Sequence, residues 1–111
     1  MIDGRTRVTG IIGWPVAHSL SPLMHNAAFD ALGLNWRYVA FPVEPGRVAQ
    51  AVAGLAAAGV AGINATIPHK QAILECASSA SDAAVAIGAA NTLIPDGAGG
   101  YRADNTDAEG F

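Results

Sequence analysis

The chain has 111 residues, of which 51% are hydrophobic and 14% are charged, and its formal net charge is −3. This size and composition predict one globular domain and exclude a disordered chain. The six Lys and Arg residues are scattered singly, which argues against nucleic-acid binding. A membrane partner is also not expected, because a span needs about 20 strongly apolar residues in a row.

The cysteine content and the N-terminus predict a cytoplasmic protein. Cys76 is the only cysteine, so no internal disulfide can form, which fits a reducing compartment. Asp3, Arg5 and Arg7 precede a short apolar run that Pro15 interrupts, and this pattern is unlike a signal peptide. The sequence carries no signal for an oligomeric state.

Strand and helix patterns alternate in the first half of the chain. Ser21 and Pro22 resemble the N-cap and first residue of a helix, while Gly33 and Gly59 follow helical patterns as stops. The predicted elements are a strand over 8–13, a helix over 23–32, a strand over 36–41 and a helix over 47–58.

The central stretch, residues 61–70, predicts a short buried strand that stops at Pro68 and turns into a helix. Asn64 and Thr66 are two residues apart and point the same way in a strand, and the other face is expected to carry the apolar residues Ile63, Ala65 and Ile67. Lys70 falls in the first helical turn and is the only lysine of the chain.

The second half predicts two short helices over 71–77 and 81–87, separated by Ser78 and Ser79. Two strands follow, over 90–95 and 100–103, and the turn between them indicates a hairpin. The order predicts an α/β fold, a three-layer sandwich with a mainly parallel sheet, helices on both faces and a C-terminal β-hairpin.

Near the end of the chain, Thr106 and Glu109 have the spacing of a capping box, which predicts the start of a helix. Only two residues follow it, and one helical turn is not stable alone. We therefore expect the chain to be the first part of a longer protein.

Two serines are the first candidate binding residues. Ser19 and Ser21 face one side of an extended segment, and Ser21 lies where a helix begins. Two hydroxyls beside a helix N-terminus suit a carboxylate. The alternative is that Ser21 is only an N-cap and Ser19 only a loop residue.

The polar residues of the central stretch are the second group of candidates. Ligands of open α/β sheets bind at the carboxyl ends of strands, where Asn64 and Thr66 lie and can hydrogen-bond hydroxyl groups. Lys70 beside them can transfer a proton. The alternative is a solvated lysine on a helix surface.

Asn91, at the start of a strand, and Asp107, at the start of the last helix, are further candidates, although an Asp in a first helical turn also has a purely structural role. The three histidines do not have the spacing of a metal site. No Gly-rich dinucleotide fingerprint opens a helix, so the chain itself is not expected to bind a nucleotide cofactor.

Four segments together resemble the substrate-binding domain of shikimate dehydrogenases. They are GWPVAHSLSP at 13–22, NATIPHK at 64–70, GAANT at 88–92 and DNTD at 104–107. Their order and spacing match the family over residues 8–111, although Ala65 and Ile67 replace valines that are more usual there.

The resemblance implies NADPH-dependent reduction of 3-dehydroshikimate to shikimate, with NADP bound by a Rossmann domain that this chain does not contain. It implies that Ser19 and Ser21 bind the substrate carboxylate and that Lys70 and Asp107 form the catalytic pair. The residues it implies for the ring hydroxyls are Asn64, Thr66, Asn91 and Asp107. It also implies that the chain alone is inactive.

Three alternatives stay open. One is a quinate or quinate/shikimate dehydrogenase, and Thr66 together with Asn64 favours shikimate over quinate. Another is a non-catalytic shikimate-binding regulatory module, which would not need the pair Lys70 and Asp107. The third is an enzyme of the same fold that acts on another small polyol acid.

Overall fold

In a computed structural model that describes residues 2–107, the chain forms a six-stranded sheet flanked by helices. The strands are β1 (Arg7–Gly13), β2 (Trp36–Pro42), β3 (Ile63–Ala65), β4 (Ser79–Ala80), β5 (Thr92–Pro95) and β6 (Tyr101–Asp104). The helices are α1 (Ser21–Leu32), α2 (Val48–Ala57), α3 (Lys70–Cys76) and α4 (Asp82–Ile87).

The sheet has the strand order β2-β1-β3-β5-β6-β4. β1 is parallel to β2 and β3, and β4 is parallel to β6. β5 is antiparallel to β6, with which it forms a hairpin, and it is also antiparallel to β3. The prediction of a mainly parallel sheet with a C-terminal hairpin is therefore confirmed.

The two faces of the sheet are covered by different helices, which confirms the three-layer arrangement. Ile12 of β1 is fully buried in the large core, and its neighbour Ile11 points to the other face, beside Val16 and Tyr38. Helices α2, α3 and α4 contribute to the large core, and Phe29 of α1 packs on the smaller cluster. The buried residues of the large core are Ile12, Val43, Val48, Val52, Val60, Ile63, Ala65, Ile73, Ala84, Ala90, Leu93, Tyr101 and Ala103.

Helix α1 has no fully buried residue, and it is attached by the aromatic contacts of His25 and Phe29 together with two hydrogen bonds of Asn26. The Asn26 amide nitrogen donates to the carbonyl of Tyr38 at 2.9 Å, and its oxygen accepts from the Tyr38 N–H at 2.8 Å. These two bonds satisfy main-chain groups on the outer side of edge strand β2.

Four local predictions need correction. The segment between α3 and α4 contains the short strand β4, which a two-residue pattern could not reveal. Ser21 is the first residue of α1 and not its N-cap, because the cap position is Leu20 and makes no side-chain cap. Pro68 lies in a turn before α3, whose cap position is His69. Ile67 follows the end of β3 and is 74% exposed, so it does not face the core.

After β6, Thr106 and Asp107 have the conformation of a 3₁₀ helix. Glu109, and with it most of the helix that the capping box predicts, lies outside the described residues.

Candidate functional site

The topology brings the predicted site residues to one end of the sheet. β1, β3 and β6 run in the same direction and end there, and the antiparallel strand β5 begins there. Ser19 and Ser21 follow β1, and Thr66 and Lys70 follow β3. Two further predicted site residues lie at this end, Asn91 just before β5 and Asp107 just after β6. This is the end at which open α/β sheets bind ligands.

An open cavity of about 310 Å³ lies between the β1–α1 connection and the end of β3. Ser19, Ser21 and Thr66 line it together with Ile11. The Ser19 hydroxyl accepts a hydrogen bond from the Ser21 N–H at 3.2 Å, so Ser19 satisfies a free donor of the first helical turn. The Ser21 side chain also lines the cavity.

Gly13 allows β1 to end directly against this cavity. A Cβ atom at position 13 would lie 2.5 Å from the Thr66 methyl carbon, which is closer than two carbons can approach. The absence of a side chain there keeps Thr66 beside the two serines.

Asn64 forms the next part of the site, and hydrogen bonds to other strands of the sheet fix the orientation of its side chain. The Tyr38 hydroxyl donates to Asn64 Oδ1 at 2.9 Å, and Asn64 Nδ2 donates to Thr92 Oγ1 at 3.3 Å. Tyr38 is 3% exposed. Burial raises the pKa of Tyr38 to about 12, and a weaker interaction with the Ser21 hydroxyl opposes that rise. The Tyr38 hydroxyl is therefore protonated at neutral pH and acts as a donor.

Lys70 and Asp107 form an ion pair at the open end of the site. Lys70 Nζ lies 3.1 Å from Asp107 Oδ2, and the side chains are 39% and 60% exposed. A solvent-exposed ion pair contributes little to stability. The pair is nevertheless open to a ligand, and an ammonium–carboxylate pair can stabilise an oxyanion and move a proton.

The side-chain amide of Asn91 is hydrogen-bonded to Thr106 and Thr92. Asn91 Nδ2 donates to Thr106 Oγ1 at 2.9 Å, and Asn91 Oδ1 accepts from the Thr106 N–H at 3.0 Å. The Thr92 hydroxyl also donates to Asn91 Oδ1, at 2.9 Å. Asn91 therefore fixes the segment that carries Asp107, in addition to its predicted place beside a ligand.

Sequence reasoning missed three residues that shape the site. Tyr38 orients Asn64, Asn105 bonds the N–H of Asp107, and the ring of the buried His69 contacts the carbonyl of Val43. Two signals could have found the first two: side chains alternate along the predicted strand over 36–41, which contains Tyr38, and Asn105 belongs to the DNTD segment. The partners of Tyr38 and His69 lie 26 positions away along the chain, so no local pattern reveals them. The bond from the Asp107 N–H to Asn105 spans two positions and is a local contact that Asn side chains commonly make.

Residues 2–107 hold no group of three His, Cys, Asp or Glu side chains that could bind a metal ion. In the same part of the chain, no helix has the length and apolarity needed to cross a bilayer.

Comparison with known proteins indicates the same family. A family model described as the shikimate dehydrogenase substrate binding domain matches residues 11–93. Over 110 residues the chain is 57% identical to a Synechococcus sp. (strain JA-2-3B'a(2-13)) protein named shikimate dehydrogenase (NADP(+)). That match covers 99% of this chain and 38% of the relative, so the chain spans well under half of the relative's length.

Two solved structures are similar over nearly the whole chain. One is shikimate 5-dehydrogenase from Thermus thermophilus in complex with NADP(H) and shikimate, with a TM-score of 0.88 and 37% identity over 96% of this chain and 40% of that chain. The other is the ligand-free 5-ketofructose reductase of Gluconobacter sp. strain CHM43, with a TM-score of 0.90 and 32% identity over 98% of this chain and 39% of that chain. The chain therefore belongs to the family of shikimate dehydrogenase substrate-binding domains.

Proposed function

We propose that residues 1–111 are the substrate-binding domain of an NADP-dependent shikimate dehydrogenase, which reduces 3-dehydroshikimate to shikimate. The observation that carries the proposal is the contact of 3.1 Å between Lys70 and Asp107, at the same end of the sheet as a cavity lined by Ser19, Ser21 and Thr66, which suit a hydroxylated carboxylic acid. Family membership supports the same activity. A cytoplasmic location and a place in aromatic amino-acid biosynthesis belong to this proposal.

The substrate is recognised at two places in this proposal. Ser19 and Ser21, on the cavity near the start of α1, hydrogen-bond the carboxylate. The ring hydroxyls are bound by Asn64, Thr66, Asn91 and Asp107. Asn64 is already oriented by Tyr38, which lowers the entropic cost of binding.

Lys70 and Asp107 are the catalytic residues in this proposal. When the substrate carbonyl is reduced, its oxygen gains negative charge, and the Lys70 ammonium stabilises that charge and delivers a proton. Asp107 holds the ammonium in place and accepts a hydrogen bond from a neighbouring hydroxyl.

The described residues do not fit NADP. The β1–α1 and β3–α3 connections carry no Gly-rich phosphate-binding loop. We propose that NADP is bound by a Rossmann domain, in the part of the relatives that this chain does not cover.

The test uses a chimera in which this chain replaces the matching 110 residues of the Synechococcus relative. The chimera should reduce 3-dehydroshikimate with NADPH, and the 111-residue chain alone should not. Lys70→Ala in the chimera should lower kcat about 1000-fold with a smaller change in KM, because one charge-stabilising proton donor is removed.

The matched control is Arg5→Ala, which removes an exposed positive charge near the N-terminus and should leave kcat unchanged. Near-normal turnover by Lys70→Ala would overturn the catalytic role of Lys70. Turnover by the isolated chain would contradict the need for a second domain.

A second candidate, reduction of a polyol ketone without a carboxylate, is favoured by the likeness to 5-ketofructose reductase. Ser19→Ala and Ser21→Ala distinguish the two. If the serines bind a carboxylate, these variants weaken binding of shikimate and hardly change binding of its methyl ester. Equal losses for both ligands, or faster turnover of 5-ketofructose, would favour the second candidate. Competition between shikimate and quinate tests the remaining dehydrogenase alternative.

A further inference from the structure

We propose that Asn105 is a positioning residue that fixes the Asp107 carboxylate against Lys70. The role in turnover rests on the proposed function, whereas the structural part of the inference can be tested without it.

Asn105 is a buried polar side chain with both ends of its amide bonded. It is 5% exposed, and its Nδ2 donates to the carbonyl of Ala89 at 2.9 Å. Its Oδ1 accepts from the N–H of Asp107, also at 2.9 Å. Removing a buried amide leaves its former partners without hydrogen bonds, which costs more than an exposed bond contributes.

These bonds close a ring of contacts around the ion pair. The N–H of Ala90 donates to the main-chain carbonyl of Lys70 at 2.8 Å, which ties the loop before β5 to the start of α3. Asn105 joins that loop, through Ala89, to the main chain of Asp107. The Lys70–Asp107 contact then closes the ring between the two side chains.

The Asn91–Thr106 bonds cannot replace this function. They hold the main chain at Thr106, whereas the N–H of Asp107 itself is bonded by Asn105. The Asp107 side chain is 60% exposed, so its position depends on how its main chain is held. Asn105 therefore determines whether the carboxylate stays within hydrogen-bonding distance of Lys70.

Two variants of Asn105 distinguish a role in positioning Asp107 from a role in folding alone. Asn105→Ala removes both bonds. Asn105→Ser keeps an oxygen that can accept from the N–H two residues later, but it is too short to reach Ala89. Asn35→Ala is the control, because both ends of the Asn35 amide are also bonded, here to two side chains, but Asn35 is exposed and lies just before β2, far along the chain from the pair.

In the chimera, Asn105→Ala should lower kcat about 100-fold with little change in KM, because a small misplacement of a catalytic group costs about that factor. Asn105→Ser should recover part of that loss, and Asn35→Ala should retain the original kcat. A lower melting temperature with unchanged kcat and KM in both Asn105 variants would overturn the proposal.

A second readout needs no turnover. Lys70 is the only lysine, so the rate at which an acylating reagent labels its side chain in the 111-residue chain reports on its contact with Asp107. Asn105→Ala should raise this rate towards that of Asp107→Asn, with Asn105→Ser between the two. An unchanged rate in a folded variant would overturn the proposal. A chimera without activity would defeat the proposed function and leave this comparison valid.

Discussion

The two faces of the sheet are built on different principles. The face under α2, α3 and α4 is a close-packed apolar core, in which Ile12, Ile73 and Leu93 are completely buried. The face under α1 holds a much smaller apolar cluster, and α1 contributes no buried residue to the domain. On that face, the hydrogen bonds between Asn26 and the main chain of Tyr38 and from Tyr38 to Asn64 supplement the limited apolar packing.

Because of this difference, one face of the sheet provides most of the stability and the other provides the polar groups for binding. An apolar core tolerates no polar ligand, because burying hydroxyl groups without partners is costly. The α1 face leaves polar groups near the surface and fixes them with a few specific bonds, which is what recognition of a small polar molecule requires. Asn64 and Thr66 therefore lie towards the weakly packed side, while Ile63 and Ala65, their neighbours in sequence, belong to the core.

The largest expected effect comes from adjacent residues of β1 that point to opposite faces. Ile12→Ala should lower the free energy of unfolding by about 4 kcal/mol, because it opens a cavity in the close-packed core. Ile11→Ala should cost about 2 kcal/mol at the looser face and should also weaken shikimate binding, because Ile11 lines the cavity with the serines. Urea unfolding and ligand titration measure both quantities. Equal losses in the free energy of unfolding for the two variants would contradict the difference in packing between the two faces of the sheet.

A smaller effect is expected where polar bonds hold α1. Asn26→Ala leaves the N–H and carbonyl of Tyr38 without partners and should lower the free energy of unfolding by about 2 kcal/mol. Hydrogen exchange at the Tyr38 amide should become faster at the same time. The exposed Asn35→Ala should cost about 0.5 kcal/mol. Identical losses for the two amides would mean that α1 does not depend on Asn26.

At neutral pH, Tyr38→Phe is expected to have a smaller effect than Asn26→Ala, about 1 kcal/mol for the lost bond to Asn64, with weaker shikimate binding. The pH dependence is more informative. The pKa of Tyr38 is raised from 10.0 to about 12, so between these values the unfolded chain has lost a proton that the folded chain retains. The free energy of unfolding should therefore fall as pH rises from 10 to 12, and Tyr38→Phe should flatten that fall.

Burial also raises the pKa of Tyr101, whose hydroxyl donates to the carbonyl of Val60 in the core. Tyr101→Phe should flatten the same slope without changing shikimate binding, which makes it the matched control from the other face. An unaltered alkaline slope in Tyr38→Phe would contradict the role of burial at Tyr38.

Much of the fold was predictable because its signals are local. Gly33, with a φ of 68°, ends α1 as predicted. The hairpin between β5 and β6 follows from its Gly-rich turn. Strand β4 was missed because two residues have no periodicity, and they form a strand only through pairing with β6. Ser21 was misread as a cap because the sequence does not show that the Ser19 hydroxyl bonds its N–H.

The sequence by itself determined the alternation of strands and helices, the single lysine after β3 and the four segments that indicate the family. These depend on hydrophobic period, turn residues and residue identity, which are properties of short stretches. Only the tertiary structure decided that Tyr38 orients Asn64 and that Asn105 joins Ala89 to Asp107. The bonds of Tyr38 to Asn64 and of Asn105 to Ala89 connect residues 26 and 16 positions apart, and their geometry is set by strand order and by which face of the sheet each side chain occupies. The bond between Asn105 and Asp107, two positions apart, is local.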